Sequence, residues 1–462
     1  MNGMAKKILL LIGMLHCLGL QAQVTLVIDE VPDYYTPLNS TLYVAGNFNN
    51  WDASGQAMTL NANGSYSTVL NVTPGTSLEY KYTRGTWPKV ETQGDGSFLP
   101  NRTFTASAGQ TVHDTVRNWE DFNGTHTAVG HTHILSLEFP MPAFNTTRRV
   151  WIYLPQDYYN SNQSYPVLYM HDGQNLFDAF YSFVGEWEVD ESMENLQNIG
   201  GIPLIIVGVD NGGASRIDEY TPWTHPQYGG GDGALYLDFL VNTLKPAIDG
   251  QFRTRPGRET TGIMGSSLGG LISHYAALER PDIFGKAGLF SSSYWFSDSV
   301  YTHTISKGHN FPMKLYMIAG DLESGNMVGD MRAMEDTLLQ AGFSPAELQV
   351  TAHPDGQHSE WYWAREFQAA VTWLFSDVLL QVEDPEVPAW SLHRQHGKFK
   401  VSGPPTGWTQ LKILNMSGQV IFKERVGNGQ LFGLSELADG LGVAIFENQG
   451  DTIRQKITFI SH

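Results

Sequence analysis

Two adjacent serines, Ser266 and Ser267, sit among glycines in ETTGIMGSSLGG, residues 259–270. Ser267 has Gly265 two residues before it and Gly269 two after, which is G-x-S-x-G; Met264 and Leu268 take those places around Ser266. A serine becomes a nucleophile when a sharp, strained turn presents its hydroxyl, and glycines on both sides let the backbones pass. TTGIM before it reads as a strand and LGGLISHYAALE after it as a helix. That helix would aim its dipole at the site, with the Leu268 N–H placed to bind an oxyanion. The serine also needs a base and an acid to orient it, in the chain order Ser, Asp/Glu, His. Asp321 and Glu323 lie just past the strand KLYMIAG (314–320), and the loop after LQVTAH reads PDGQHSEWYW, with His353 and His358. Ligands bind at the C-terminal ends of parallel strands, so Glu323 and His358 are candidates by position, with Asp321 and His353 as alternatives. YPVLYM ends in His171-Asp172-Gly173-Gln174-Asn175. Gly173 lets this loop turn close to a substrate, so the Gln174 N–H is expected as the second oxyanion donor. His171 and Asp172 are metal-ligand types, but a His-Asp pair without a second cluster makes a weak site, and no metal or cofactor is expected.

These residues need a sheet to hold them. RRVWIYLP, YPVLYMHDG and the apolar run PLIIVGVDN read as strands, and helical patterns such as ALYLDFLVNTLKPAI and EFQAAVTWLF come between strands. Buried apolar strands alternating with helices predict an α/β domain with a mostly parallel sheet, over 137–381. Before it, 23–118 alternates in short strands (VTLVI, TLYVAG, SYSTVLNV, LEYKYTR) between Gly, Asn and Pro turns, the pattern of a β-sandwich. A polar stretch, 119–136, reads as a linker, as does VEDPEVPAW, 382–390. Strands return in 391–462, predicting a small third β domain.

The first 22 residues carry Lys6 and Lys7, then an apolar run from Ile8 to Leu20, then Gln21-Ala22. The run is too short for a typical membrane span and reads as a secretory signal, cut after Ala22. The single cysteine, Cys17, falls inside it, preceded by His16, which is too large for a lipid-attachment site. The mature chain would therefore lack cysteine, and no integral membrane segment is expected. With 41% hydrophobic and 16% charged residues the composition is globular. The formal net charge of −19 would repel a phosphate polyanion, so nucleic acid is not an expected partner. Twelve Trp and 20 Tyr exceed ordinary core needs and point to ring-stacking surfaces.

The central domain resembles esterases of the α/β-hydrolase superfamily close to carbohydrate esterase family 1, which holds feruloyl and acetylxylan esterases and has siderophore-ester hydrolases among its relatives. The resemblance spans about 137–380 and rests on RRVWIYLP, YPVLYMHDGQNLF, IIVGVDN with RIDEYTPW, GSSLGG, RPDIFGKAGLFSSSYW and GQHSEW. It implies Ser267 as nucleophile, His358 as base, Glu323 as acid with Asp321 as rival, and Gln174 and Leu268 as oxyanion donors. VAGNFNNWD and EYKYTRGTWPKVE resemble glycogen- and starch-binding β-sandwich modules, which implies a sugar platform of Trp51, Lys81 and Trp87. LKILNMSGQVIFKERV and ELADGLGVAIFENQGDTIRQKITFI resemble the C-terminal sorting domains of type IX secretion substrates, although Gly442-Val443-Ala444 stands where a tyrosine is common. Together these imply a secreted or cell-surface serine esterase acting on ester-substituted plant polysaccharide. Its tail would engage the secretion machinery. Two other readings are a small-ester or siderophore hydrolase and a non-catalytic glycan-binding surface protein.

Overall fold

The computed structural model describes residues 22–378 apart from 33, 35, 39, 62, 63, 123 and 183, and, further on, 391–395, 398–402, 408–415, 420–428, 430–432, 440–448 and 451–459. The expected signal segment, save Ala22, and the 382–390 linker lie outside the described residues. The chain forms two compact units, one holding residues up to Thr36 with Ser40–Gly124, the other Pro37–Asn39 with Thr125–His462.

In the first unit a four-stranded sheet runs in the order Thr59–Leu60, Tyr66–Val72, Ala22–Glu30, Thr111–Thr115, and a three-stranded one joins Tyr43–Gly46, Ser77–Thr83 and Arg102–Thr105. Ala22, Val24, Leu26 and Ile28 are wholly buried, the period of two that lets one strand face a core. Arg102 ties the unit together with its planar fork. It donates to Glu91 and, at 2.7 Å, to Asp114, whose other oxygen accepts the Tyr80 and Tyr82 hydroxyls. The unit runs past residue 118. Asn118–Trp119 pairs with Glu91–Thr92, and the Trp119 indole donates to Thr36 at 2.8 Å.

The second unit carries an eight-stranded sheet: β1 His131–Met141, β2 Thr146–Leu154, β3 Val167–His171, β4 Ile205–Val209, β5 Thr261–Ser266, β6 Lys286–Phe290, β7 Lys314–Gly320 and β8 Leu348–His353. Their order is β1-β2-β4-β3-β5-β6-β7-β8, antiparallel from β1 through β4 and parallel thereafter. This is an α/β-hydrolase-type sheet. The residues expected as a linker thus contribute to it, because HTHILSLEFPM pairs along β2 from His131 onward. Every residue of β3, β4, β5 and β6 is buried, which is why these strands read as unbroken apolar runs.

The single helix expected in ALYLDFLVNTLKPAI is instead Gly233–Phe239 and Lys245–Gln251 joined by a π turn at Leu240–Leu244. Pro246 explains the break: it has no N–H to give, and its ring would strike the carbonyl four residues back unless the turn widens. In the C-terminal region the described strands form two antiparallel sheets, one of Ser391–Gln395, Lys398–Ser402 and Leu431–Phe432, the other ordered Val420–Gly427, Trp408–Asn415, Gly440–Asn448, Asp451–Phe459.

Backbone contact at the C-terminal ends of β7 and β8 decides how closely their loops can meet. Leu322 N–H donates to the Gly356 carbonyl at 3.0 Å and Asp321 N–H to that of His353 at 2.9 Å. A Cβ on Gly320 would collide with the Gly356 backbone. Gly320→Ala is therefore expected to cost about 1–3 kcal/mol or more, seen as a lower melting temperature, whereas Gly250→Ala, in open space with an ordinary helical backbone, does not lower it.

Candidate active site

Ser267 leaves β5 with φ 58° and ψ −121°, a backbone that L-residues rarely adopt and that persists only when the surroundings impose it. Here they do: its N–H donates to the Phe290 carbonyl at 2.9 Å, and its carbonyl accepts from Ser293 at 3.0 Å and Leu271 at 3.1 Å. The glycines make room. A Cβ on Gly265 would stand 2.8 Å from the Gly269 carbonyl carbon, and one on Gly270 would strike Ser292. Ser266 ends β5 before the turn, so the strained position belongs to Ser267.

Leu268 opens the helix Leu268–Glu279, and its N–H is among the donors a helix cannot satisfy itself. Gln174 lies in the turn Gly173–Asn175 after β3. Neither amide N–H has a hydrogen-bond partner among the described residues. The Gln174 turn is pinned through Asp172, itself left-handed at φ 56°. The Asp172 carboxylate accepts Arg216 Nε at 2.7 Å and Nη2 at 2.9 Å, plus Asn211 Nδ2 at 2.7 Å, while its N–H donates to the Tyr220 hydroxyl. Burial opposes the charge on Asp172, yet Arg216 and these bonds outweigh it and hold the carboxyl below its usual range. His171 packs beside Tyr236, 3.1 Å from its hydroxyl, and burial pushes the imidazole down to about 4. Asp172 is thus committed to Arg216 rather than to a metal shared with His171.

Past β7 and β8 the structure pairs Glu323 with His358. His358 Nδ1 donates to Glu323 Oε2 at 2.6 Å, which leaves Nε2 as the free face of the ring. Glu323 has no exposed side-chain surface, and its Oε1 accepts the Gly320 N–H at 2.6 Å and the Ser291 hydroxyl at 2.7 Å. Trp363 Nε1 donates in turn to Ser291, and its ring stands edge-on to His358. The alternatives fall elsewhere. Asp321 is exposed, and His353 bonds the Tyr362 hydroxyl at 2.9 Å and faces Glu366. Ser267 and His358 line one cleft, but no hydrogen bond joins them; the Ser267 hydroxyl lies 3.1 Å from Ser293 Oγ.

The cleft has a volume of about 750 Å³, and Gln174, Trp187, Glu360 and Trp363 also line it. Trp187 stacks on Phe290 at 5.5 Å and 16°. Glu360 is buried; that burial first, then the charge of Asp172, pushes its carboxyl up to about 7. Sequence reasoning assigned no role to Ser291, Ser293, Arg216, Trp187, Glu360 or Trp363. Their signals were the serine run of GLFSSSYW, the arginine of RIDEYTPW and the tryptophans of EWEVDE and SEWYW, none of which has diagnostic spacing.

In the first unit Trp51 and Trp87 stand together, ring centroids 6.3 Å apart, with Trp87 41% exposed. Lys81 departs from the expectation of an exposed ammonium. It is buried, donates to the Leu99 carbonyl and lies 4.8 Å from the Phe98 ring centroid. Phe98, 78% exposed, is the aromatic residue that sequence reasoning overlooked there.

A strained serine between strand and helix, two open amides and an acid-held imidazole on a β1-β2-β4-β3-β5 sheet define a site of the α/β-hydrolase type. Residues 141–374 match the family described as "Putative esterase", and the chain belongs to that family. It is a carboxylic-ester hydrolase. It is 30% identical over 241 residues to the uncharacterized protein YbbA of Bacillus subtilis, covering 49% of this chain and 92% of that one. It is 25% identical over 245 residues to an endo-1,4-beta-xylanase/feruloyl esterase of Xylanibacter ruminicola, 51% of this chain but only 31% of that protein. A shorter match, 44% identical over 89 residues, links 19% of this chain to 7% of an alpha-amylase of Niallia circulans.

Glu323→Gln keeps the side chain's shape but lets the imidazole turn or take the wrong tautomer. Ester hydrolysis should fall about 10³–10⁴-fold, while Asp321→Asn stays within about twofold of wild type, since surface changes away from the site matter little; initial rates on 4-nitrophenyl acetate check both.

Proposed function

We propose that the protein is a secreted serine esterase that removes feruloyl or acetyl groups from plant polysaccharide or its oligosaccharides. The observation that carries the catalytic part is the His358 imidazole, held by Glu323, which lines one cleft with Ser267 and Gln174, with the Gln174 and Leu268 amides both open. In the reaction the Ser267 hydroxyl exchanges Ser293 for His358 Nε2, which takes its proton as the oxygen attacks the ester carbonyl. The Gln174 and Leu268 N–H groups receive the oxyanion. His358 returns the proton to the leaving alcohol, and the acyl group stays on Ser267. Water, deprotonated by the same imidazole, then releases the acid. Glu323 keeps Nδ1 protonated and the ring in place throughout.

The carbohydrate part has separate support. Trp51 and Trp87 form a paired indole surface of the kind that stacks on pyranose faces. One relative is a xylanase/feruloyl esterase, and another, matched over a stretch about the size of the N-terminal module, is an alpha-amylase. Because Lys81 is turned inward, the platform is aromatic: Trp51 and Trp87 carry it. Export rests on the signal pattern of the first 22 residues and on the likeness of 391–462 to sorting domains. No described helix is long and apolar enough to cross a membrane.

Ser267→Ala should lower hydrolysis of 4-nitrophenyl acetate by about three orders of magnitude or more and abolish labelling by a fluorophosphonate, with Ser266→Ala keeping both. Full activity in Ser267→Ala would reject the assignment, and a panel of methyl ferulate, acetylated xylan and 4-nitrophenyl esters ranks the acyl groups. For the module, affinity electrophoresis on starch, glycogen and xylan should show retardation that Trp87→Ala removes. Free migration of the wild type on every glycan would reduce the module to a spacer.

A further inference from the structure

Three carboxyls line the cleft: Asp172, Asp210 and Glu360. Two of them are spent. Arg216 takes Asp172 with two bonds, and Asp210 accepts Arg149 Nε at 2.8 Å and the Trp151 indole N–H at 2.7 Å. The amides beside them are spent too: Gln174 Oε1 accepts the Asn211 N–H at 3.1 Å, and Asn211 Nδ2 donates to Asp172. Glu360 differs. It opens the helix Glu360–Leu374 and is only 8% exposed, yet beyond its own N–H no donor and no cation bonds its carboxyl among the described residues. The charges that carboxyl feels are those of Asp172, His358 and Arg216, all residues of the same lining, so the group stands on the cleft side of its helix.

A buried polar group without a partner costs free energy unless a ligand completes it. Its surroundings say what kind of ligand. Tyr181, Val184, Trp187 and Trp363 supply apolar wall, with the Trp187 and Trp363 ring centroids 5.6 Å apart. Trp187 is fixed by its stack on Phe290 and Trp363 by its bond to Ser291, so this wall is set before a ligand arrives. A volume of about 750 Å³ is in the range of sites that take drug-sized ligands, far beyond an acetyl group. Aromatic walls with one uncommitted polar group suit a flat ring carrying one polar substituent. The carboxyl says which substituent. Burial first, then the charge of Asp172, raises Glu360 to about 7, so near neutral pH it is present both protonated and ionised. A hydroxyl can donate to a carboxyl oxygen in either state, whereas an acidic substituent would meet like charge.

We propose that Glu360 selects the acyl group of the ester, by accepting a hydrogen bond from a hydroxyl on the ring of an aromatic acyl chain that lies in this cleft. Size decides which end of the ester enters. The alcohol is a polysaccharide or oligosaccharide on the reading above, too large for about 750 Å³, so the acyl end lies beside Ser267 in the cleft. The assignment rests on that reading for this orientation, and it ranks hydroxylated aromatic acyl groups, feruloyl among them, over acetyl. Glu360 moves no proton in the reaction; its effect falls on which acyl group is held.

The test compares methyl 3- and 4-hydroxycinnamate with methyl cinnamate, which lacks only the hydroxyl. Wild type should favour the better hydroxylated ester about tenfold in kcat/KM, as one hydrogen bond allows, and mostly through KM. Glu360→Leu should bring that ratio close to one, while Glu360→Gln, whose amide oxygen still accepts, should keep most of it. Taking the ratio cancels any effect of Glu360 on the oxyanion. Leucine in place of an unpartnered buried carboxyl should not lower the melting temperature; should the variant fail to fold, Glu360→Met takes its place. A wild-type ratio near one, or a ratio unchanged in the folded variant, would overturn the proposal. Calorimetric titration of Ser267→Ala with the same esters reads the preference without turnover. A preference there that adding Glu360→Leu removes, with no Ser267-dependent hydrolysis in wild type, would sink the hydrolytic reading and spare this one. Hydrolysis of 4-nitrophenyl acetate that needs Ser267, without any hydroxyl preference, does the reverse.

Discussion

Every hydrogen bond that fixes the imidazole passes through one carboxylate with no exposed surface. Glu323 gives one oxygen to His358 and the other to the Gly320 N–H and the Ser291 hydroxyl, and Ser291 accepts from Trp363. This single group joins the ends of β6 and β7, the loop after β8 and the helix Glu360–Leu374. A buried carboxylate without such donors would cost several kcal/mol, so each donor is needed for the charge to be tolerated at all. The demand runs outward. Ser291 must hold φ 46°, and Gly320 must lack a side chain for the two loops to lace together.

The opposite side of the cleft repeats the principle with different parts. There the buried carboxylate is Asp172, and a bidentate Arg216 supplies what Ser291 and the Gly320 amide supply to Glu323. Its product is a backbone turn rather than an oriented ring: Gly173–Asn175 stays put with the Gln174 N–H unused. Between the two sides Ser267 holds a strained backbone that its own contacts to Phe290, Leu271 and Ser293 enforce. Rigidity thus precedes the chemistry, which is what oxyanion stabilisation by fixed dipoles requires.

What the sequence made legible follows from what periodicity and spacing can encode. The elbow was readable because a side chain at 265 would strike the Gly269 backbone, so glycine spacing marks the turn, and the buried strands because parallel sheets demand unbroken apolar runs. Position put Glu323 ahead of Asp321 without excluding Asp321; what separates them in the structure is the bond from His358 to Glu323 across the β7 and β8 loops, a long-range fact. Lys81 misled for a related reason. The resemblance implied an ammonium facing sugar, but a cation beside the exposed Phe98 ring can turn inward to the Leu99 carbonyl. Ser291 and Arg216 carried no signal because a serine or arginine in a loop is ordinary until its buried partner is known. The strand at His131 was hidden by its polar start at the sheet edge, where one face need not be apolar.

Two buried carboxyls in the same cleft end with opposite proton affinities, and the difference lies in how each meets Arg216. The guanidinium grips Asp172 with two bonds and holds its carboxyl low. Glu360 receives only weaker help from Arg216 and His358, against burial and the charge of Asp172, and sits at about 7. An ionised Glu360 would add a further negative charge, without a close cationic partner, to a cleft in which an oxyanion must form. Kept neutral below about pH 7, it becomes a group that can donate as well as accept, at little electrostatic expense to that intermediate. Above that pH its charge opposes the oxyanion. A rate followed through this window therefore carries the ionisation of Glu360, a residue that touches neither Ser267 nor the leaving group in the reaction, as well as the chemistry at the serine.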